Sequence, residues 1–375
     1  MKNEKINCLK KFYNDLLRDA QQEFKKDTCL YCGKKTTSFC NSHSVPSFIL
    51  RNIAIDGKVY SSFAFDDIVI SEQNPGVNRT GTFKLICRDC DNSIFKIYEN
   101  ENVLLKRPSN EILKAIKLKA MLKDYSTKGI YKIFYQKFYE AIKFDNCLFN
   151  KTDNWLKNPG LNAVNKFDEI EYKDFLLTNI TMQLEMHKRD EKELVKKIDY
   201  ILNNEENYNL IFWKILEYKV PIACQTSIVI YGDLKGNLVN DVYDYSDDLD
   251  MEELYLVVFP LKEKSVIILF YPEYNTKIDK FAEQFNQKNE AEKLIIINFM
   301  LFLYSEDFYM APQIDRNILK NSSCRSLKSN FMNIEVIVEN NNFTEVEKDK
   351  KTNLEMLKKL KPKIPCLLFE RYRIE

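Results

Sequence analysis

Apolar residues recur along the N-terminal half of this chain at helical spacing, and along the C-terminal half in short unbroken runs. Residues 5–26 place Leu9, Phe12, Tyr13, Leu16, Leu17 and Phe24 on one side of a helix. The pattern predicts further helices over 47–53, 91–105, 110–145 with a break near Gly129, 169–203 and 207–219, the last stopping at Pro221. Beyond Pro221 the character changes. Residues 222–231, 253–259 and 264–271 are rich in Val, Ile, Leu, Tyr and Phe, as strands are, and the last two suggest a hairpin around a charged turn. Helices are predicted over 278–285 and 291–303. A strand over 58–65 follows the Asp56-Gly57 turn, and 71–82 reads as a polar loop with Pro75, Gly76 and Gly81. Residues 150–166 are loop-like, and 339–363 form a charged stretch of poor periodicity. The expected fold class is α+β, with a segment 1–26, a cysteine-bearing module 27–107, a helical region 108–220 and a C-terminal domain 221–375 holding a small sheet with helices.

That module contains the most specific signal in the chain. Cys29-Leu-Tyr-Cys32 and Cys87-Arg-Asp-Cys90 are two CxxC knuckles, each able to grip one tetrahedral ion from a tight turn. Together they offer Cys29, Cys32, Cys87 and Cys90 as the four ligands of a structural Zn2+. The stretch between the knuckles is long, so a small subdomain folds inside it.

Composition narrows the function classes. The 375 residues are 45% hydrophobic and 13% aromatic, which predicts a folded chain of two or three domains. With 56 Lys and Arg against 55 Asp and Glu, the charge of +1 is too small for a protein that coats nucleic acid through its overall charge. Any nucleic-acid contact is therefore a local patch. Lys10, Lys11, Arg18, Lys25, Lys26, Lys34 and Lys35 offer one, although such charges are more often solvated helix faces. The chain begins with a polar run unlike a signal peptide and holds no long apolar span, so no membrane association is expected. The other six cysteines are irregularly spaced, and metal-bound thiolates in a reducing cytoplasm are the expectation. Eight glycines without GxGxxG or GxxxxGK[ST] argue against a nucleotide cradle, and no Gly-x-Ser-x-Gly or His-Glu-x-x-His occurs.

Few side chains are left to carry acid–base chemistry. His43 is one of two histidines. A neutral imidazole there can deprotonate water for attack on a phosphodiester, or His43 is structural, as a zinc ligand near Cys40 or a cap of the turn before Pro46. Asp91 and Asn92 follow the second knuckle, where Asp91 either caps a helix or binds a metal through its carboxylate. Glu99 falls about two turns further along the same predicted helix. Asn78-Arg79 could present an amide and a guanidinium to phosphate. His187 reads as an ordinary surface histidine, and Cys224 has no histidine near it in sequence to make it a nucleophile.

Taken together, Cys29-x2-Cys32, Ser42-His43-x2-Pro46 and Leu85-Ile86-Cys87-Arg-Asp-Cys90-Asp91 resemble the zinc-binding HNH endonuclease superfamily, in particular a bacterial branch with a Ser-His-x-x-Pro element. The resemblance covers about residues 27–105. It implies a treble-clef or ββα-metal core, with His43 as general base and Asp91, or Asn92, as the late ligand of a catalytic Mg2+ or similar ion. It also implies nucleic acid as substrate, DNA ahead of RNA, in a setting such as bacterial phage defence. The chain departs from the pattern at Ser42, where an acidic residue is usual, at Asp91, where His or Asn is usual, and in the middle asparagine, for which Asn78 is nearest. An Asp at position 91 would restore the carboxylate missing at position 42. The alternatives are a non-catalytic zinc module that binds nucleic acid or a protein partner, and a structural scaffold.

Overall fold

A computed structural model describes residues 2–62, 74–144, 169–241, 251–305, 307–324 and 363–375. Its centre is a six-stranded antiparallel sheet in the order β2-β8-β5-β6-β7-β4. These strands are β2 (Tyr60–Ser61), β4 (Tyr208–Leu216), β5 (Ile222–Ile228), β6 (Leu254–Pro260), β7 (Ser265–Pro272) and β8 (Phe308–Met310). The sheet thus takes strands from residues 27–107, 108–220 and 221–375.

Both faces of the sheet are covered, which explains the unbroken apolar runs of β6 and β7. Tyr255, Val257, Phe259, Val266, Ile268 and Phe270 point into one core. Their alternates Leu254, Leu256, Val258, Ile267, Leu269 and Tyr271 point into the other. The first core is closed by the long helix α5 (Asn110–Phe144) and the cysteine-bearing module. The second is closed by α7 (Asp279–Asn286), α8 (Glu290–Tyr304) and residues around Leu367. Asn289 and Glu292 start α8 with a reciprocal capping box. The chain is α+β, as expected.

In the N-terminal half, α1 (Lys2–Glu23) packs on α5, and α5 pairs along its length with α6 (Glu169–Asn203). The predicted break in α5 does not occur. Gly129 sits inside the continuous helix because a Cβ there would lie 2.1 Å from the Phe24 ring, so the glycine marks a close approach rather than a kink. The helix predicted over 207–219 is the edge strand β4. It pairs with β7 through a bulge between Leu210 and Phe212, which shifts the face pattern mid-strand and hides the two-residue period from the sequence. The predicted helix 91–105 is two shorter ones, α3 (Arg88–Phe95) and α4 (Glu101–Leu104). The 71–82 loop carries a 3-10 turn, Val77–Arg79. The predicted strand 58–65 is the short β2, residues 63–65 lying outside the described residues. The loop expected over 150–166 and all but the last residue of the charged stretch 339–363 also fall outside them.

The module is docked onto the sheet rather than tethered to it. Asn52 on α2 (Ser47–Ile53) donates to the Pro260 carbonyl at 3.0 Å. Tyr98 lies parallel to Phe259, ring centroids 6.5 Å apart, and donates to the Gln225 side chain at 3.2 Å. At Gly81 the contact is tightest: a Cβ would lie 2.5 Å from Ser44 Oγ and 2.6 Å from the Tyr309 hydroxyl of β8.

Candidate metal centre and the His43 site

The first knuckle is a tight backbone turn. The N–H of Cys29 donates to the Lys34 carbonyl at 3.0 Å, and the N–H of Gly33 returns to the Cys29 carbonyl at 2.9 Å. The second knuckle opens α3, with Cys87 as its N-cap and Cys90 in its first turn. Backbone bonds hold the two together: Leu30 N–H to Leu85 at 3.0 Å, and Cys40 N–H to Ile86 at 2.9 Å. The Cys87 N–H donates to Cys29 Sγ at 3.3 Å.

As a result the sulfurs of Cys29, Cys32, Cys87 and Cys90 all lie within 4.8 Å of one another. That is the spread expected of four thiolates around one tetrahedral ion with metal–sulfur bonds of about 2.3 Å, so the four could hold a metal such as zinc. Burial raises the Cys29 thiol, but the N–H groups of Cys32, Cys87 and Tyr31 outweigh it and bring it down to about 7. Burial pushes Cys90 up, reinforced by hydrogen bonds with the other three cysteines. A shared cation is what allows such a set to ionise together.

His43 is carried by a short hairpin next to this cluster. β1 (Ser42–His43) pairs antiparallel with β3 (Thr82–Phe83), Ser42 opposite Phe83 and His43 opposite Thr82, and α3 follows directly. Local order is therefore strand, strand, helix, with α2, β2 and the 3-10 turn inserted between the strands. His43 Nε2 lies 3.0 Å from the Val77 carbonyl. A carbonyl only accepts, so the proton is on Nε2 and the neutral ring carries its lone pair on Nδ1. Burial is the main cause that lowers the His43 pKa. The Val77 carbonyl opposes it, the charges of Lys119 and Arg51 add to it, and Glu99 opposes it. Half-buried and neutral at pH 7, His43 is in the state a general base needs.

Asp91 does not cap the helix, since Cys87 occupies the N-cap and Asp91 lies inside α3. Its carboxylate instead turns toward the hairpin and accepts a 2.5 Å hydrogen bond from Ser42 Oγ. Cys40 joins the same group; burial, then the Asp91 charge, pushes its thiol up to about 11. Asn92, one residue on, is exposed. Asn78 and Arg79 are exposed in the 3-10 turn whose Val77 carbonyl holds His43, and Asn41 donates to the Asn78 carbonyl at 3.0 Å. Glu99 is not on the helix of Asp91, which ends at Phe95, yet its charge still reaches His43.

Among the described residues, the four cysteines are the one group of three or more His, Cys, Asp or Glu side chains whose ligand atoms converge. Cys40 and His43 are outside it, which answers the question their proximity in sequence raised.

Two features were not legible in the sequence. Lys119, on α5, is 2% exposed and bonds to the Glu99 carboxylate with its ammonium 4.3 Å from the Phe95 ring centre. His187 is not a surface residue: it is 8% exposed and packs nearly parallel to the Tyr131 and Tyr135 rings at 5.6 and 5.4 Å, and its Nδ1 has no hydrogen-bond partner among the described residues. Cys224 is buried in β5, and burial pushes its thiol up, as befits an inert core residue. Among the described residues no helix is long and apolar enough to cross a membrane. No known protein family, no curated protein and no solved structure matches the chain.

Proposed function

We propose that this chain is a metal-dependent endonuclease of the HNH type that hydrolyses phosphodiester bonds at His43. The observation that carries the reading is the bond from Ser42 to Asp91. It sets a carboxylate from α3 beside the strand position where the HNH pattern has an acidic residue, so Asp91 supplies what Ser42 lacks. The strand–strand–helix order around His43 and the four-cysteine cluster at the root of the helix support the same reading.

In this reading the lone pair on His43 Nδ1 takes a proton from water as the water oxygen bonds to phosphorus. The phosphorus–oxygen ester bond breaks, and the leaving oxygen is protonated from solvent. The Val77 carbonyl fixes the tautomer and angle of the ring, and burial keeps it unprotonated. A hard divalent cation such as Mg2+ would neutralise charge at the leaving oxygen, and Asp91 is the carboxylate available to hold it, with Asn92 exposed beside it. Such an ion takes one or two carboxylates and completes its shell with substrate oxygens and water, so a convergent protein cage is not required. Zinc on Cys29, Cys32, Cys87 and Cys90 would hold the frame. Nucleic acid, DNA ahead of RNA, is the substrate, and the reducing cytoplasm, in a role such as phage defence, is the setting.

One observation favours a second reading, a zinc module that binds nucleic acid or a protein without cutting: among the described residues the cysteines alone converge as metal ligands. The Asp91→Ala substitution separates the two. On the first reading it abolishes Mg2+- or Mn2+-dependent cutting while the bound zinc is unchanged. Undiminished cutting by that variant would remove Asp91 from the mechanism.

A further inference from the structure

The hairpin that carries His43 is braced from outside the cysteine-bearing segment. β8 pairs with β2 of that segment on one side and with β5 on the other, Tyr309 standing opposite Ser61 and Ala223. The Tyr309 side chain is 6% exposed and lies in the core shared by sheet and module. Its hydroxyl donates to the Asp307 carboxylate, and the Asp307 N–H donates to Ser305 Oγ at 3.2 Å. So anchored, the hydroxyl comes up against Gly81. A Cβ there would lie 2.6 Å from the Tyr309 oxygen, 3.3 Å from Cζ of its ring and 2.5 Å from the buried Ser44 Oγ, and Gly81 adopts a φ of +60°. Only glycine fits that position. Both supports of His43 run through it. The Gly81 carbonyl accepts from the N–H of Ser44, the residue after His43, at 2.9 Å. Thr82, the residue after Gly81, stands opposite His43 in the β1–β3 pair. On the other side, Thr80 Oγ1 donates to the Gly76 carbonyl at 2.9 Å across the 3-10 turn whose Val77 carbonyl holds His43 Nε2 at 3.0 Å.

We propose that Tyr309 is a positioning residue of the His43 site: pinned by Asp307, its hydroxyl is a stop against Gly81 and Ser44, and so fixes from the sheet side the strand and the turn that hold the imidazole. Its role in hydrolysis rests on the endonuclease reading above. The site is then completed by a strand of the C-terminal region, and a cysteine-bearing segment drawn back from β8 would lose the alignment of its base. Tyr309 acts through the hairpin and touches no substrate.

With only two histidines, His43 can be followed alone by NMR once the other signal is removed with His187→Phe. Tyr309→Phe keeps the ring and deletes only the hydroxyl. It should speed solvent exchange of the Ser44 amide and of the His43 Nε2 proton about tenfold and move the imidazole carbon shifts. In cleavage it should lower kcat about tenfold at unchanged KM, because a displaced base slows the chemical step and leaves substrate binding alone. Gly81→Ala should do more, about 10²-fold in kcat. Adding Ser44→Ala and Tyr309→Phe to it makes room for the methyl and should restore part of the rate. Tyr98→Phe is the control: it deletes the buried hydroxyl bonded to Gln225 elsewhere in the same interface, and should lower stability without moving the His43 signals or kcat. Unmoved Ser44 and His43 signals in Tyr309→Phe would overturn the proposal, and so would equal changes in Tyr98→Phe. Should Gly81→Ala not fold, Tyr309→Phe decides alone. A wild-type protein that cuts under no metal condition would sink the endonuclease reading, and the exchange measurements would still decide whether Tyr309 fixes His43.

Discussion

The sheet and the cysteine-bearing module share one hydrophobic core but treat polar groups in opposite ways. Against the sheet, Lys117, Glu206, Tyr208 and Tyr274 satisfy one another, and Lys197 bonds to Glu253 at 3.0 Å with Tyr255 on the same carboxylate at 2.8 Å. Lys117, Glu206 and Tyr208 are enclosed and joined through the Glu206 carboxylate, as a buried network must be if it is not to destabilise the fold, while Tyr274 is exposed at its edge and Lys197 and Glu253 are partly so. In the module, His43, Asp91, Cys40 and Glu99 are only half-buried: His43 is held through Nε2 by the Val77 carbonyl, Asp91 and Cys40 are grouped with Ser42, and Glu99 is held by Lys119. The contrast teaches that burial of charge alone does not mark a site here. The site proposed at His43 leaves part of each polar group open to water.

The comparison can be tested from its strongest element downward. If the four sulfurs hold zinc, the Cys87→Ser variant should lose both the metal and the cooperative unfolding of the module, because binding of a structural metal is coupled to folding. Metal analysis beside near-UV circular dichroism reads this; full zinc retention would mean the four sulfurs are not the ligand set. Next, Lys117→Met leaves Glu206 buried without its cation and should cost about 3–5 kcal/mol in denaturant unfolding. A loss below about 1 kcal/mol would show that the pair is not enclosed in solution.

A smaller effect is expected at His187. Burial first, then the charge of Lys128, lowers its pKa to about 4 from 6.5, with Asp190 opposing. Between those values the unfolded chain binds a proton that the folded chain does not. Stability should therefore fall as pH drops from 6.5 to about 4, by at most about 3 kcal/mol, since the two tyrosine rings partly compensate an imidazolium. His187→Phe should flatten that part of the stability–pH curve. An unchanged slope would place the acid sensitivity elsewhere.

What could be read from the sequence was what short-range spacing determines. Two CxxC knuckles give a four-thiol cluster because each is a local turn, and the runs of β6 and β7 give paired strands because both faces are buried. The Ser42–Asp91 bond was legible only in part, as two residues whose chemistry complemented each other across a long insertion. The bulge in β4 was not legible, since a one-residue shift removes the alternation that identifies a strand. Nor was Gly129, whose role depends on Phe24 from another helix. Lys117 and Lys119 pass for solvent positions one at a time. The apolar residues Ile112, Leu113, Ala115, Ile116, Leu118, Ala120, Met121 and Leu122 crowd this part of α5, yet Lys114 among them stays partly exposed while Lys117 and Lys119 are buried, so the pattern alone does not single those two out.

The endonuclease function requires that His43 activate water. The measurement is cleavage of supercoiled plasmid and of single-stranded DNA and RNA by the zinc-loaded protein and by His43→Ala, each with Mg2+, Mn2+ or no added ion. With His43 as the base, cutting requires the added ion and falls by about 10²–10⁴-fold in the variant, at unchanged zinc content and thermal stability. Equal cutting by both proteins, or none by a folded, zinc-loaded wild type under any of these conditions, would contradict that function.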